Sequence, residues 1–302
     1  MTIAKDWDRA FLADSKGSAA TRDRAWRTWN AVKEFSKEKK WDLAPATITP
    51  KQMRLYLADR AAVISPRCVQ LEASHLRRAI AGAGRDIGNV RDKQNTWSSA
   101  RMGVPEGSRL GMKAAADPAK YEAAKEKMLP DVRACIGVID SIGLRLKEGV
   151  MAGSSLKEWS RELAKSESRV RGVHLHVVHG TKTGRPRWTL VPPEKVEAVS
   201  KAVAVALQSC AGNKSGSVIE ADDLKKALKR VSSCLYRQGL VGDNSVHGLR
   251  RGFAHEQYKY YRDSGLSEKE ALIRLSQDLG HGDGRGRWVW NNYLRGGEGG
   301  GE

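Results

Sequence analysis

The sequence predicts a mainly α-helical protein with one small antiparallel β-sheet, arranged as a helical N-terminal domain and a mixed α+β C-terminal domain. Three observations lead there. Apolar residues recur at helical spacing through most of the chain, and several of these runs open on N-cap signals. The period changes to two only around residues 173 to 178. Between Met102 and Lys120 the periodicity dissolves into "MGVPEGSRLGMKAAADPAK", a Gly-, Pro- and Ala-rich stretch that reads as an interdomain linker. With 302 residues and 40% hydrophobic content, the chain is long enough to bury two cores.

The elements follow in order. Residues 1–19 are set aside as an N-terminal arm, and 20–101 as the helical domain. In "TRDRAWRTWNAVKEF" Ala25, Trp29, Val32 and Phe35 share one helix face, while Arg22, Arg24, Arg27 and Lys33 fall elsewhere. "TPKQ" supplies Thr49 as N-cap, Pro50 at the first helical position and Gln52 to close a capping box, which starts a helix through Val63. Ser65 and Pro66 repeat the signal for a helix with Val69, Ala73, Leu76 and Ile80 inward and His75, Arg77 and Arg78 on its polar side. After a linker over 102–124, the C-terminal domain occupies 125–302. A helix runs from Pro130 to Gly143, and "SSLKEW" at 154 to 159 caps another. Val173, Leu175 and Val177 then alternate with His174 and His176, "GTKTGRPR" turns the chain, and "WTLVP" returns as a second strand. From Pro193 onward the pattern is helical again, including "LSEKEALIRL" with Ser267 and Glu270 as a capping box.

Lysine plus arginine outnumber aspartate plus glutamate 53 to 35, a formal net charge of +18. That excess favours a polyanionic partner, with nucleic acid ahead of a membrane surface. No apolar run approaches the roughly 18 residues that span a bilayer, and the charged start lacks a signal peptide's apolar stretch, so a cytoplasmic, nucleoid-associated location is expected. Cys68, Cys135, Cys210 and Cys234 are scattered without a C-x-x-C and read as reduced core cysteines. His174, His176 and His179 form an H-x-H-x-x-H, but no acidic or cysteine partner stands at ligand spacing, so a solvated strand face is expected and no metal. "GHGDGRGRW" is glycine-rich without the Gly-Lys-Ser/Thr ending of a phosphate-binding loop.

Five short motifs fall in one order: "GLRLKE" with Arg145, "GTKTG" with Lys182, "HGLRR" with His247 and Arg250, "LGHG" with His281, and "NNYL" with Tyr293. Taken singly, Arg145 could cap a helix end, Lys182 could be a turn lysine and His247 a core histidine. In that order they resemble the catalytic set of the tyrosine recombinases, or phage-type integrases, which runs Arg, Lys, His-x-x-Arg, His or Trp, Tyr. The resemblance covers Pro130 to Leu294, and the helical first third is similar to the family's core-binding domain. Glu148, "GTKTGRPR" and "SSLKEW" look most like integrases of proteobacterial integrative elements.

The chemistry accounts for these residue types. Attack on a DNA phosphodiester passes through a phosphorane carrying extra negative charge, which fixed cationic forks stabilise selectively. Arg145 and Arg250 suit that role because guanidinium matches phosphate oxygens in bidentate geometry and keeps its charge. His247 and His281 would donate further hydrogen bonds, and one of them would take the nucleophile's proton. The resemblance implies that Tyr293 forms a covalent 3′-phosphotyrosyl link, that Lys182 protonates the leaving 5′ oxygen, and that neither metal nor ATP is required. Tyr258, Tyr260 and Tyr261, on the helix begun by "HGLRR", suit packing or DNA contact better than a mobile nucleophile. Glu148 is a supporting residue. His75, Arg77, Arg78, Arg251, Arg285 and Arg287 are candidate DNA contacts.

The expected partners are a double-stranded DNA recombination site and other copies of this chain. A monomer or dimer would occupy one site and a homo-tetramer two duplexes, with possible DNA-bending accessory proteins. The gap from His281 to Tyr293 is longer than the family usually shows, and the glycine-rich acidic tail after Tyr293 is a poor helix. A type IB topoisomerase, and a non-catalytic DNA-binding protein derived from a recombinase, are the alternative readings.

Overall fold

The computed structural model describes residues 3–14, 19–106, 114–213 and 217–295. The chain divides into two compact units, residues 1–109 and 110–302. The first unit holds four helices: α1 (Ile3–Asp14), α2 (Ala19–Lys39), α3 (Pro50–Val63) and α4 (Pro66–Gly82). Ala25, Trp29, Val32 and Phe35 of α2 are buried together with Val69, Ala73, Leu76 and Ile80 of α4, as the periodicity requires. Both start signals operate. Thr49 and Gln52 form the reciprocal capping box of α3, and the Ser65 side chain accepts from the Cys68 amide at the head of α4.

The expected N-terminal arm is different in its described part. Trp7 and Phe11 of α1 are fully buried against α4, and the Trp7 indole N–H donates to the Leu43 carbonyl at 3.1 Å, so α1 enters the core of the first unit through Trp7, Ala10 and Phe11. The linker is also shorter than 102–124. Met102 and Val104 pack into the first core, while Ala116 and Tyr121 belong to the second, the latter on α5 (Pro118–Lys125). Residues 107–113 of the expected linker lie outside the described residues.

The second unit is built around α6 (Pro130–Ile142), which the main core encloses on nearly every side. Val132, Val138, Ile139 and Ile142 are fully buried, and each such side chain contributes about 1.5–3 kcal/mol of hydrophobic stabilisation. Then come α7 (Leu146–Val150), α8 (Gly153–Ala164) and α9 (Ser168–Arg171). Ala152 rather than a serine stands at the head of α8, with no side-chain cap, so Ser154 and Ser155 lie inside its first turn. The hairpin follows as β1 (Val173–Val177) and β2 (Arg187–Val191), antiparallel with Val173 opposite Val191 and Val177 opposite Arg187. Leu175 and Val177 face the core.

Five elements close the unit: α10 (Val196–Ala211), α11 (Leu224–Arg237), α12 (Val246–Asp263), α13 (Glu268–Asp278) and α14 (Gly286–Val289), the last running into a π-helical turn over Trp290–Leu294. Ser267 and Glu270 form the capping box of α13. A second, smaller cluster joins Phe253 and Ala254 of α12, Leu272, Leu275 and Leu279 around α13, and Val289, Tyr293 and Leu294. Helix α12 therefore has a core on two sides.

All four cysteines are free; Cys135 and Cys234 are buried, but Cys68 is exposed and Cys210 half-buried, so only two are core residues. Among the described residues no helix is long and apolar enough to cross a membrane.

Candidate active site

Helix α6 ends at Gly143, whose left-handed φ of 65° reverses the chain; a Cβ there would stand 2.3 Å from the Phe253 ring. That reversal brings Arg145 to the head of α7. The spacing of Arg145 and Glu148 is the spacing of a helix cap: the Glu148 carboxylate accepts from the Arg145 amide at 2.8 Å and from its guanidinium at 2.6 Å.

Glu148 is fully buried and serves more than one arginine. Arg187 Nη1 lies 2.9 Å from its Oε2, within ion-pair distance although not aligned for a hydrogen bond, and Arg250 Nη1 lies 3.8 Å away. Burial opposes ionisation of Glu148, but the three guanidiniums, led by Arg187, outweigh it and hold the carboxyl below the usual carboxylate range.

Arg250, on the first turns of α12, is completely buried. Its Nη1 donates to the Gly143 carbonyl and its Nη2 to the Leu279 carbonyl. Arg145 Nη2 shares that Leu279 oxygen at 3.1 Å. The ends of α6 and α13 thus present carbonyls to the arginines, which suits the negative end of a helix. The third Arg250 nitrogen, Nε, lies 3.3 Å from the Tyr293 hydroxyl.

Tyr293 is itself buried, on the π-helical turn. His281 Nε2 stands 3.3 Å from its hydroxyl, and the His247 ring is centred 5.5 Å from the Tyr293 ring. Trp288 packs on His281 at 4.5 Å and edge-on to Tyr293 at 6.0 Å. Burial, then the charges of Arg250, Arg145, Arg187 and Lys182, push the His281 imidazole down to about 3, so it is neutral near physiological pH and has a lone pair to offer. Lys182, exposed on the hairpin turn, is close enough to be felt there.

The structure therefore gathers Arg145, Glu148, His247, Arg250, His281 and Tyr293 into one cluster, with Arg250 and His281 at the Tyr293 hydroxyl. The long interval between His281 and Tyr293 is filled by the turn Asp283–Arg285, α14 and the π turn. The glycine-rich loop is fastened: Ser276 Oγ donates to the Gly282 carbonyl, His281 N to the Ser276 carbonyl at 2.8 Å, and Gln277 Nε2 to Asp283 at 2.9 Å. The rival tyrosines are engaged in packing. Tyr261 is buried with its hydroxyl on Asp278 at 2.6 Å, and Tyr258 packs on Trp290.

The candidate DNA contacts divide. Arg285 and Arg287 are exposed beside the site. His75 is not on a polar face: it is buried, with Nδ1 2.9 Å from the Thr28 hydroxyl and its ring against Phe11. Arg77 is spent on the Trp97 carbonyl at 2.7 Å and on Ser99, and Arg78 lies over the Phe11 ring. Arg251 is buried, donating to the Ala114 carbonyl at 3.2 Å. His75 and Arg251 are thus placed as structural residues. On the hairpin, His174 is exposed and His176 stacks face to face on Trp188 at 4.3 Å. Among the described residues no group of three or more His, Cys, Asp or Glu side chains is placed to hold a metal.

Two buried residues at this site escaped the sequence reading. Arg187 donates through Nε to the Asp278 carbonyl at 2.6 Å and through Nη2 to Gly143 at 3.4 Å. The Asp278 carboxylate accepts from the Leu190 amide and Tyr261, and burial raises it to about 6. A signal for Arg187 was present: two-residue periodicity counted back from Val191 through Thr189 places it on the inner face.

A profile of the integrase family matches residues 103–256. The fold is similar to that of the Tn1549 transposon integrase in complex with transposon right end DNA, with a TM-score of 0.56 and 14% identity over 97% of this chain and 95% of that one. It is also similar to the XerH site-specific recombinase bound to palindromic difH substrate in a post-cleavage complex, with a TM-score of 0.51 and 16% identity over 88% of this chain and 75% of that one. No curated protein matches the chain significantly. The family match spans half of the sequence and the likeness in fold extends over nearly all of it, and on these grounds the chain belongs to the integrase family and has the fold of the tyrosine recombinases.

Proposed function

We propose that the protein is a site-specific DNA recombinase that cleaves and rejoins strands through a covalent link on Tyr293. The observation that carries this reading is the Tyr293 hydroxyl held 3.3 Å from both Arg250 Nε and His281 Nε2, beside the arginine cluster. Arg145 and Arg250 bind the non-bridging oxygens of the scissile phosphate, and His247 adds a donor at the exposed side. Tyr293 Oη attacks phosphorus, the P–O5′ bond breaks, and a 3′-phosphotyrosine and a free 5′-hydroxyl result. The phenol proton passes to neutral His281, whose proton affinity rises once the phosphate neutralises the neighbouring arginines. Lys182 supplies the proton to the 5′ oxygen.

Each bond broken is replaced by one of the same kind, so a 5′-hydroxyl from a second strand reverses the reaction without ATP. As in the resemblance, four copies act on two duplexes, with DNA-bending proteins as candidate accessories, and the helical first unit contributes DNA binding. The charge of +18 supports a nucleic-acid partner.

The test is to mix labelled DNA from the native locus with wild type and with Tyr293→Phe, denature in SDS, and look for protein-linked label. Label on wild type alone supports the reading and maps the site. Label on neither, with native complexes formed, refutes it.

A further inference from the structure

We propose that Arg187 is a positioning residue for strand cleavage: it occupies the Glu148 carboxylate so that Arg250 stays on Tyr293. The inference rests on the reading of Tyr293 as the nucleophile.

Three guanidiniums from three elements converge on one buried carboxylate. Arg145 Nη1 takes Oε1 at 2.6 Å and Arg187 Nη1 lies 2.9 Å from Oε2, whereas Arg250 Nη1 is held off at 3.8 Å from that same Oε2. Arg187 is no third phosphate fork. Burial does not set it apart, since Arg250 is fully buried too; the backbone above it does, for a Cβ at Gly280 would stand 2.8 Å from the Arg187 Cδ. The other buried acid nearby does not answer it either. Asp278 directs its carboxylate to Leu190 and Tyr261, and Arg187 meets only its main-chain oxygen. The charge of Arg187 is matched at Glu148.

With Arg187 gone, Oε2 keeps the Arg145 amide at 2.8 Å, and Arg250 Nη1 stands 3.8 Å away as a cation within reach of it. Opposite charges in a buried site attract more strongly than hydrogen bonds to neutral acceptors hold, so the Nη1 bond to the Gly143 carbonyl and the long Nε contact with the phenol are what Arg250 would give up. Closing the 3.8 Å gap would draw Arg250 toward Glu148 and away from Tyr293, 3.3 Å from its Nε. Arg187 therefore sets which acceptor Arg250 uses.

The test compares Arg187→Lys, which keeps the charge, Arg187→Gln, which keeps a donor to Asp278 without it, and Arg187→Gln combined with Glu148→Gln. Each full-length variant is read for SDS-stable adduct on native-locus DNA, with thermal unfolding as the folding check. The Gln variant is expected to lose at least about tenfold in adduct rate with DNA binding retained, and the Lys variant to recover most of it; the double variant, which also weakens the hold of Glu148 on Arg145, is expected to exceed the Gln variant while staying below wild type. A purely structural Arg187 gives the opposite: Lys no better than Gln, and no recovery when Glu148 loses its charge. That result overturns the proposal, as does a double variant that fails to fold.

Adduct on neither wild type nor its Tyr293→Phe control refutes the nucleophile reading instead. In that case crystal structures without DNA decide the Arg187 question. Arg250 is expected in direct contact with Glu148 in the Gln variant and back at Tyr293 in the double variant; Arg250 unmoved in the Gln variant overturns it.

Discussion

His281 Nε2 and the Tyr293 hydroxyl stand 3.3 Å apart, joining a neutral imidazole to a buried phenol across the glycine-rich loop. The pairing places a proton acceptor at the one hydroxyl that the cationic cluster surrounds.

The same imidazole makes folding pH-dependent. Its folded value, about 3, lies below the ordinary 6.5 of an unfolded histidine. Between those values the unfolded chain binds more protons, so stability rises with pH there. The contribution is complete above about pH 6.5 and is lost progressively as the pH falls toward 3. Urea titrations at pH 7.5 and pH 5 should show wild type losing more stability on acidification than His281→Gln; equal losses would remove His281 from the buried cluster.

On the proposed mechanism, Arg250→Ala removes a fork that meets the phosphate in the transition state. Cleavage should fall by about 2.7–4 kcal/mol, or roughly 10²–10³ in rate, in single-turnover assays. The variant should also melt lower, because the carbonyls of Gly143 and Leu279 lose a buried donor. Unchanged cleavage would show that α12 does not contribute its arginine to the chemistry.

Lys182→Ala should slow cleavage by about 10²–10⁴ on ordinary DNA. A substrate with sulfur at the bridging 5′ position leaves as a thiolate, which needs little help from an acid. On that substrate the variant should approach wild type; an equal defect on both would assign Lys182 to DNA binding.

Gly280→Ala tests the packing over Arg187. The new Cβ meets the Arg187 stem at 2.8 Å, and the backbone φ of 66° disfavours a side chain. Cleavage should drop while Tyr293 and both forks remain in the sequence. Circular dichroism separates a local change from unfolding.

Much of the fold was legible before the structure, because caps and periods are local signals. Thr49, Ser65 and Ser267 start helices as expected, and the change of period at Val173 marks the hairpin. The clustering of Arg145, His247, Arg250, His281 and Tyr293 was legible too, since the short motifs that carry them were read as one site. What escaped was burial of charge. His75, expected on a polar face, is covered by Thr28 and Phe11 from other helices, and α12 packs on two cores and buries Gly248, Leu249, Arg250 and Arg251 in succession, which no single helical stripe describes. Arg187 and Asp278 were missed because their partners lie 39 and 88 positions away in sequence. Trp7 and Phe11 were left in an arm because the helix that covers them is distant in sequence.

The Leu279 carbonyl accepts from both Arg145 and Arg250. One peptide plane, just beyond the end of α13, is thus a common gauge for two guanidiniums that come from separate elements. Tilt that plane and both forks go out of tune together, in the same direction and by related amounts. Loss of one arginine leaves its companion seated, but a disturbance of the backbone here silences the pair. The support that the two arginines share is a main-chain carbonyl, which no side-chain substitution removes.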